Sequence, residues 1–174
     1  KFTIPNTWEN RRIIVHFGAV KYAFFIWING NKVGYSQGSK LPAEFDITEY
    51  VKTGDNLISL EVYRWSDGSY LECQDFWRIS GIERDVFLIA EPKIRIEDFW
   101  AKTPLDENYK NGELDLSIEI MNDNILDERV KIHTELFNHN GTRVYNKHDK
   151  ITVPSKTKIS HILKKTIPNV DAWT

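Results

Sequence analysis

Short apolar runs bounded by turn residues dominate the first half of the chain, and this pattern is typical of β-strands. The predicted strands cover residues 11–19, 23–28, 32–37, 57–65 and 85–92. Asn29 and Gly30 stand between the second and third of these runs. Asn-Gly between two apolar runs predicts a tight hairpin turn, because both central residues must adopt positive φ.

One stretch of this half does not alternate as a strand does. The segment LPAEFDITEYVKTGDN covers residues 41–56. Asp46 is followed three residues later by Glu49, and this spacing fits a capping box that opens a single helical turn. The turn residues Gly54 to Asn56 then end that helical turn.

The second half of the chain alternates more strictly. In GELDLSIEIMND, residues 112–123, one face carries the apolar side chains and the other the polar ones. The apolar positions are Leu114, Leu116, Ile118 and Ile120. Turn signals recur about every ten residues, which predicts a small all-β sandwich. We therefore divide the chain into domains 1–92 and 93–174, and interpret the second as an immunoglobulin-like spacer without a site of its own.

Neither end of the sequence has the features of a finished domain. FTIP, residues 2–5, is typical of the end of a β-element whose partner lies upstream. IPNVDAWT, residues 167–174, stops without a closing strand. We therefore expect the chain to be a fragment of a longer protein.

Charge and composition narrow the possible partners. The 174 residues carry a formal net charge of -2, so nothing favours binding to nucleic acid or to an anionic membrane. No apolar run approaches the roughly 20 residues needed to span a bilayer. The single cysteine, Cys73, excludes an internal disulfide and leaves the compartment, cytoplasm or periplasm, undecided.

The stretch RWSDGSYLECQDFW, residues 64–77, places large rings beside carboxylates. Flat rings pack against the apolar face of a pyranose while carboxylates bind its hydroxyls, so this composition fits a sugar site. The alternative is a buried corner in which Asp67, Glu72 and Asp75 only cap turns. Both interpretations stay open from the residues alone, and Cys73 is interpreted as structural.

Other chemistries have no clear signature in the sequence. The five histidines are not spaced as zinc ligands, and Gly-rich phosphate loops and G-x-S-x-G elbows are absent. A hard cation bound by oxygen atoms needs no motif, so that kind of site stays open. Asn140, Gly141 and Thr142 match N-x-T but coincide with a predicted hairpin turn, and we interpret them as turn residues.

An ordered series of motifs carries a family resemblance. NGNKVGYSQGS begins at Asn29, PAEFD at Pro42, RWSDGSYLE at Arg64, QDFWR at Gln74 and SGIERDV at Ser80. Together these motifs resemble the N-terminal sugar-binding domain of the β-galactosidases of glycoside hydrolase family 2, over most of residues 2–92. Residues 93–170 resemble the immunoglobulin-like domain that follows in that family.

The resemblance implies a fold and an activity for the parent protein. The expected fold is all-β, with a galactose-binding-like jelly roll that lacks its first strands, followed by an immunoglobulin-like sandwich. In the family, a downstream (β/α)8 barrel carries both catalytic Glu residues, so this chain should contain no catalytic residue and be inactive alone. The parent would be a retaining enzyme that releases terminal non-reducing β-D-galactose from lactose-type substrates.

The resemblance also implies site residues. Asp75 of the Q-D-F-W motif is expected to reach the galactose pocket of the barrel, where it binds sugar hydroxyls and helps to hold sodium. Gln37 and Asp67 match positions that hold a peripheral divalent cation, magnesium, in some members. The remaining ligands in those members come from an N-terminal segment that this sequence lacks. Packing and domain-interface roles are assigned to Arg64, Trp65, Trp77 and Arg78.

The chain departs from the family pattern at two places. Cys73 stands where Asp is common, and a sugar-contacting Asn should precede residue 1. Expected partners are a β-galactoside, the parent's own barrel and further copies of the parent in a homo-oligomer, in a bacterial host.

Two hypotheses from other classes compete with the hydrolase. One is a stand-alone carbohydrate-binding or adhesion module without hydrolase activity, and the other is a purely structural interaction module. Within the family, β-glucuronidases and β-mannosidases share the domain order. The RWSDGSYLE motif favours the galactosidase branch.

Overall fold

A computed structural model of the chain describes residues 1–72 and 77–170, mostly as strands and turns. The chain divides into two compact units, Lys1–Pro92 and Lys93–Thr174. The expected all-β class is confirmed. Among the described residues, no helix is both long and apolar enough to cross a membrane.

The described residues of the first unit form two three-stranded antiparallel sheets. Its described strands are β1 Phe2–Ile4, β2 Arg12–Phe17, β3 Val20–Lys21, β4 Ala23–Ile28, β5 Asn31–Gln37, β6 Ala43–Asp46, β7 Gly54–Asn56, β8 Ile58–Tyr63, β9 Gly81–Ile82 and β10 Val86–Glu91. A 3-10 turn covers Asn6–Trp8, and the helix α1 covers Asp67–Leu71. Strand β2 lies between β10 and β6, and β4 lies between β5 and β8. Shorter pairs join β1 to β7 and β3 to β9.

Side chains of the two central strands form the core of this unit. Val15 and Phe17 of β2 pack with Phe24, Ile26 and Ile28 of β4, and all five are almost fully buried. The rings of Phe17 and Phe24 have centroids 5.0 Å apart. Burying one such side chain contributes about 1.5–3 kcal/mol, so this cluster holds the two sheets together.

The predicted hairpin between β4 and β5 is confirmed. Asn29 has φ of 50° and Gly30 has φ of 84°, as a type I′ turn requires. The Asn29 side chain adds long-range bonds, because its amide nitrogen donates to the carbonyl of Tyr50 and its oxygen accepts from the Leu57 N–H, each at 2.9 Å. The turn therefore also fixes the segment that leads into β8.

The single helical turn expected after Asp46 is present as one hydrogen-bonded turn, which is too short to count as a helix. The N–H of Val51 lies 3.2 Å from the carbonyl oxygen of Ile47. Asp46 ends β6, and its carboxylate accepts from the N–H of Thr48, two residues along, at 3.0 Å. An N-cap side chain accepts from the second N–H of a helical turn in the same way, so Asp46 caps this turn.

The second unit has five described strands in two antiparallel sheets. They are β11 Ile94–Lys102, β12 Gly112–Asn122, β13 Glu128–Phe137, β14 Arg143–Val153 and β15 Thr157–Ile167. Strand β12 lies between β11 and β15, and β13 pairs with β14. The predicted apolar face of β12 is confirmed, since Leu114, Ile118 and Ile120 are buried and Leu116 packs against the same cluster.

Asparagine side chains organise the turns of the second unit. Asn122 is fully buried, and its amide nitrogen donates to the carbonyls of Leu126 and Val153 at 2.9 and 3.0 Å. The carboxamide oxygen of Asn138 accepts from the N–H groups of Asn140 and Thr142 at 3.1 and 2.8 Å. The N-x-T match therefore lies in a hydrogen-bonded hairpin turn, as predicted.

Candidate functional site

The corner after β8 is built around the short helix α1. The Ser69 hydroxyl oxygen accepts from the N–H of Ser66 and donates to the carbonyl of Arg64, both at 2.9 Å. The N–H of Ser69 also donates to the carbonyl of Ser66 at 3.0 Å. These bonds use polar groups that a helix end otherwise leaves unsatisfied, and they fix where α1 begins.

The structure brings Gln37 and Asp67 together, as the resemblance implies for two ligands of one cation. Gln37 ends β5 and Asp67 opens α1, and the Gln37 amide nitrogen donates to the Asp67 carboxylate. The same carboxylate oxygen accepts from the N–H of Gly68 at 2.9 Å, while Tyr35 donates its hydroxyl to the Gln37 amide oxygen at 2.7 Å. Strand β5 and helix α1 thus meet through a fixed polar contact.

Gly68 lies directly beside this contact. A Cβ added at Gly68 would lie 3.1 Å from the amide nitrogen of Gln37, which is tighter than an ordinary van der Waals contact. A larger residue would therefore require the Gln37 side chain to shift by a few tenths of an ångström. Gly68 allows strand β5 and helix α1 to approach closely, which is one of the recurring uses of glycine.

The donor chemistry of the pair fits part of a site for a hard cation. Carboxylate and amide oxygens are the ligands that magnesium and calcium prefer. Gln37 turns its amide nitrogen toward Asp67, so a cation between them would require the amide to rotate and present its oxygen. Across residues 1–72 and 77–170, no group of three or more His, Cys, Asp or Glu side chains is placed to hold a metal.

Asp75, the residue assigned to sugar and sodium, lies outside the described residues, as does Cys73. Both flanks of that segment are described. On one side, Glu72 accepts hydrogen bonds from the N–H of Ser39, at 3.2 Å, and from its hydroxyl. On the other side, the ammonium group of Lys21 donates to the carbonyl oxygen of Trp77 at 3.0 Å. Sequence reasoning missed Lys21 and Ser39, because neither lies in or beside the 64–77 motif.

The large rings of the corner do not belong to the core of the first unit. Trp65 is 54% exposed and Trp77 is 79% exposed, and Tyr70 and Leu71 are also exposed. Trp65 and Tyr70 have centroids 6.2 Å apart, with the Arg64 guanidinium 5.5 Å from the Trp65 ring. The predicted core-packing role of Trp65 and Trp77 is therefore wrong within this unit. Exposed Trp and Tyr rings are common at interfaces, and the domain-interface role of Trp65 and Trp77 stays a prediction.

The described residues also form pockets away from this corner. In the first unit, a shallow pocket of about 500 Å³ borders His16 and Phe87, whose rings stack at 4.4 Å. In the second unit, an apolar groove of about 650 Å³ borders Leu114, Phe137 and Ile167. Neither Gln37 nor Asp67, the described candidate ligands, lines either pocket.

Comparison with protein families matches both units in order. The model of glycosyl hydrolases family 2, sugar binding domain, matches residues 1–92, and that of glycosyl hydrolases family 2 matches residues 94–174. The chain is 52% identical over 121 residues to a β-galactosidase of Priestia megaterium, an alignment that covers 70% of the chain and 12% of the relative. It is 42% identical over 143 residues to a β-galactosidase of Halalkalibacterium halodurans, an alignment that covers 82% of the chain and 14% of that relative.

Solved structures show the same fold at lower identity. A β-glucuronidase of Bacteroides uniformis superposes with a TM-score of 0.83 at 23% identity, over 99% of this chain and 22% of the other. A putative β-galactosidase of Bacteroides fragilis superposes with a TM-score of 0.81 at 17% identity, over 98% of this chain and 27% of the other. The expected combination of a sugar-binding domain and an immunoglobulin-like domain is confirmed. Because the two family models match nearly its whole length in consecutive order, the chain belongs to glycoside hydrolase family 2.

Proposed function

We propose that the chain is the non-catalytic N-terminal part of a β-galactosidase that releases terminal β-D-galactose from lactose-type substrates. The observation that carries this proposal is the 52% identity to a β-galactosidase over 70% of the chain. Further β-galactosidases of bacteria match at 41–50% identity. The structural neighbours that are β-glucuronidases share only about a fifth of their residues with the chain and support the fold alone.

In this proposal the catalytic acid and nucleophile lie outside residues 1–174. The hydrogen bonding of the corner supports this division. Retaining glycosidases need two carboxyl groups about 5–5.5 Å apart across the scissile bond, one of which donates a proton. Asp67 and Glu72 instead each accept two hydrogen bonds from fixed donors of their own domain, which suits a structural or cation-binding role.

Asp75 is then the residue of this chain that contacts the sugar, and it helps to hold a sodium ion. Gln37 and Asp67 contribute oxygens to a peripheral magnesium site. The exposed surface around Trp65 and Trp77 faces the barrel that carries the chemistry. Burying these rings in a domain interface would stabilise the assembled enzyme, and homo-oligomer formation completes the proposed partners.

The exposed rings also favour a second candidate, a stand-alone carbohydrate-binding module. Trp65 and Tyr70 lie beside each other on the surface, and such rings stack on pyranose faces. Calorimetry on residues 1–174 separates the two candidates. The β-galactosidase proposal predicts that galactose at micromolar concentrations produces no detectable heat of binding. A micromolar dissociation constant would instead favour the carbohydrate-binding module.

The proposal is tested by the substrate preference of the complete protein encoded by the gene. Chromogenic β-galactoside, β-glucuronide and β-mannoside are compared at equal concentration, with residues 1–174 alone as the control. The expected result is hydrolysis of the galactoside by the complete protein and of no substrate by the control. Preference for the glucuronide or the mannoside, or activity of the control, overturns the proposal.

A further inference from the structure

Two histidines lie side by side on the solvent-exposed face of the β13–β14 sheet. His133 of β13 lies directly opposite His148 of β14 in the strand register. Their rings stack with centroids 4.0 Å apart and an angle of 15° between the planes. Both side chains are exposed, whereas Ile132, the neighbour of His133, is buried in the core of the unit. The strand register therefore brings together two imidazoles that the sequence spacing did not connect.

A hydrogen bond determines which nitrogen of His133 can bind a ligand. Its Nε2 lies 2.8 Å from the carboxamide oxygen Oδ1 of Asn146. A carboxamide oxygen only accepts hydrogen bonds, so Nε2 carries the proton and the neutral ring has its lone pair at Nδ1. Histidines that bind metal ions are usually oriented in this way, because their other ring N–H donates to an oxygen acceptor.

The distance between the two rings suits a single metal ion. Zinc–imidazole bonds are about 2.0–2.1 Å long, so two nitrogens on one ion lie at most about 4.2 Å apart. The 4.0 Å between the centroids of His133 and His148 is within this span. Both rings face solvent and have room to rotate about their side-chain bonds. Two imidazoles from adjacent strands can therefore bind one ion, with water in the remaining positions.

The charged groups on the same face argue against a site for a hard cation. Oε1 of Glu135 lies 3.7 Å from Nε2 of His133, but the same oxygen is paired with Arg143 at 2.8 Å. On the other side of the histidines, Lys131 lies opposite Lys150, and both lysines are exposed. Magnesium and calcium prefer clusters of oxygen ligands, which this face does not offer. The imidazole nitrogens are the better ligands here, and they suit zinc, nickel and copper.

We propose that His133 and His148 form a binding site for a divalent transition-metal ion, with zinc as the ion to be tested. The site lies in the second unit, whereas Gln37 and Asp67 lie in the first, and the inference does not depend on the proposed function. A bound ion would connect β13 to β14. It would stabilise this hairpin, because the unfolded chain does not hold the two histidines together.

The alternative is that the two rings only pack against each other as a cross-strand pair. Replacement of either histidine would then change the stability of the hairpin and leave metal binding unchanged. Zinc binding therefore distinguishes the two roles, and a measurement of stability alone does not.

The test is a calorimetric titration of residues 1–174 with zinc chloride at about pH 7.5, where both imidazoles are mostly neutral. We expect one zinc ion to bind per chain. In His133→Gln and in His148→Gln the affinity should fall at least about tenfold, because each variant lacks one of the two protein ligands. His16→Gln is the matched control, since the His16 ring stacks on Phe87 in the first unit, and its zinc affinity should stay within about twofold of wild type.

Two further measurements need only the wild-type chain. Zinc should shift the NMR signals of the His133 and His148 ring protons and leave those of His16 unchanged. The zinc affinity should fall at least about tenfold between about pH 7.5 and pH 5.5, because both imidazoles must lose their protons to bind the ion. Absence of zinc binding in wild type, or equal affinity in wild type and both histidine variants, would overturn the proposal.

Discussion

The side-chain amide of Gln37 donates a hydrogen bond to the carboxylate of Asp67, although 30 positions separate the two residues. The bond joins the end of β5 to the start of α1, beside Gly68, where a Cβ would lie 3.1 Å from the Gln37 amide nitrogen. It places an amide and a carboxylate at one point on the surface of the first unit. A hard cation at that point would bind oxygens from two separate elements and hold them together.

Replacement of Asp67 should weaken the response of the complete enzyme to magnesium. In Asp67→Asn a charged oxygen ligand is lost, and the magnesium concentration for half-maximal activation should rise at least about tenfold. The measurement is galactoside hydrolysis across a magnesium titration after treatment with a chelator. Asp55→Asn is the matched control, because Asp55 accepts from Thr3 at 2.9 Å in a different part of the unit. Identical titration curves for Asp67→Asn and wild type would refute the assignment.

Gly34→Ala should destabilise the first unit. A Cβ at Gly34 would lie 2.7 Å from Cε1 of the Phe45 ring, and that ring packs edge-on against Phe17 and Phe24. Overpacking of this kind costs about 1–3 kcal/mol of the free energy of unfolding. Urea titration of residues 1–174 measures the change in midpoint. Phe45→Leu provides the control, because Gly34→Ala should lower the free energy of unfolding by less when the Phe45 ring is absent. An equal loss with and without Phe45→Leu would contradict the steric explanation.

The ion pair between Asp46 and Arg12 should make stability depend on acid pH. Burial raises the pKa of Asp46, but hydrogen bonds from Thr48 and Arg12 outweigh burial and hold that pKa below its usual range. A carboxylate with a lowered folded-state pKa stabilises the fold above its unfolded pKa of about 3.9. That contribution is lost as the pH falls through the folded value.

Asp46→Asn should therefore be less stable than wild type at pH 7, and the difference should be smaller at pH 3, below the unfolded pKa of about 3.9. The difference should stay under about 1 kcal/mol, because the Asp46 side chain is 46% exposed and solvent screens the pair. Urea titrations at the two pH values measure it. A difference that grows on acidification would show that the sign of the linkage is wrong.

Local sequence patterns were sufficient for most of the fold. The Asn29-Gly30 turn and the alternation through Leu114 and Ile120 depend on neighbouring residues, so they could be predicted without the structure. Helix α1 could not be predicted in this way, since five residues are too few to show a helical period. Its start depends on Ser66 and Ser69, whose spacing alone is common in loops.

The polar contacts of the site were harder to predict for a different physical reason. The Lys21 contact with Trp77 spans 56 positions and the Ser39 contact with Glu72 spans 33, so only the folded sheets bring the partners together. A lysine beside an apolar run is expected in solvent, and its burial depends on the tertiary fold. Gln37 and Asp67 could be identified from their positions in family motifs, because a motif comparison needs only the sequence and not the geometry of the site.

The central claim is that this chain supplies Asp75 to the galactose site of a larger β-galactosidase, and Asp75→Asn tests it most directly. In the complete enzyme, kcat/KM for a chromogenic β-galactoside should fall at least about a hundredfold, because a charged hydrogen-bond acceptor of the sugar is lost. The activation of the enzyme by sodium should weaken in the same variant. A value of kcat/KM within twofold of wild type, with an unchanged sodium response, would contradict the claim.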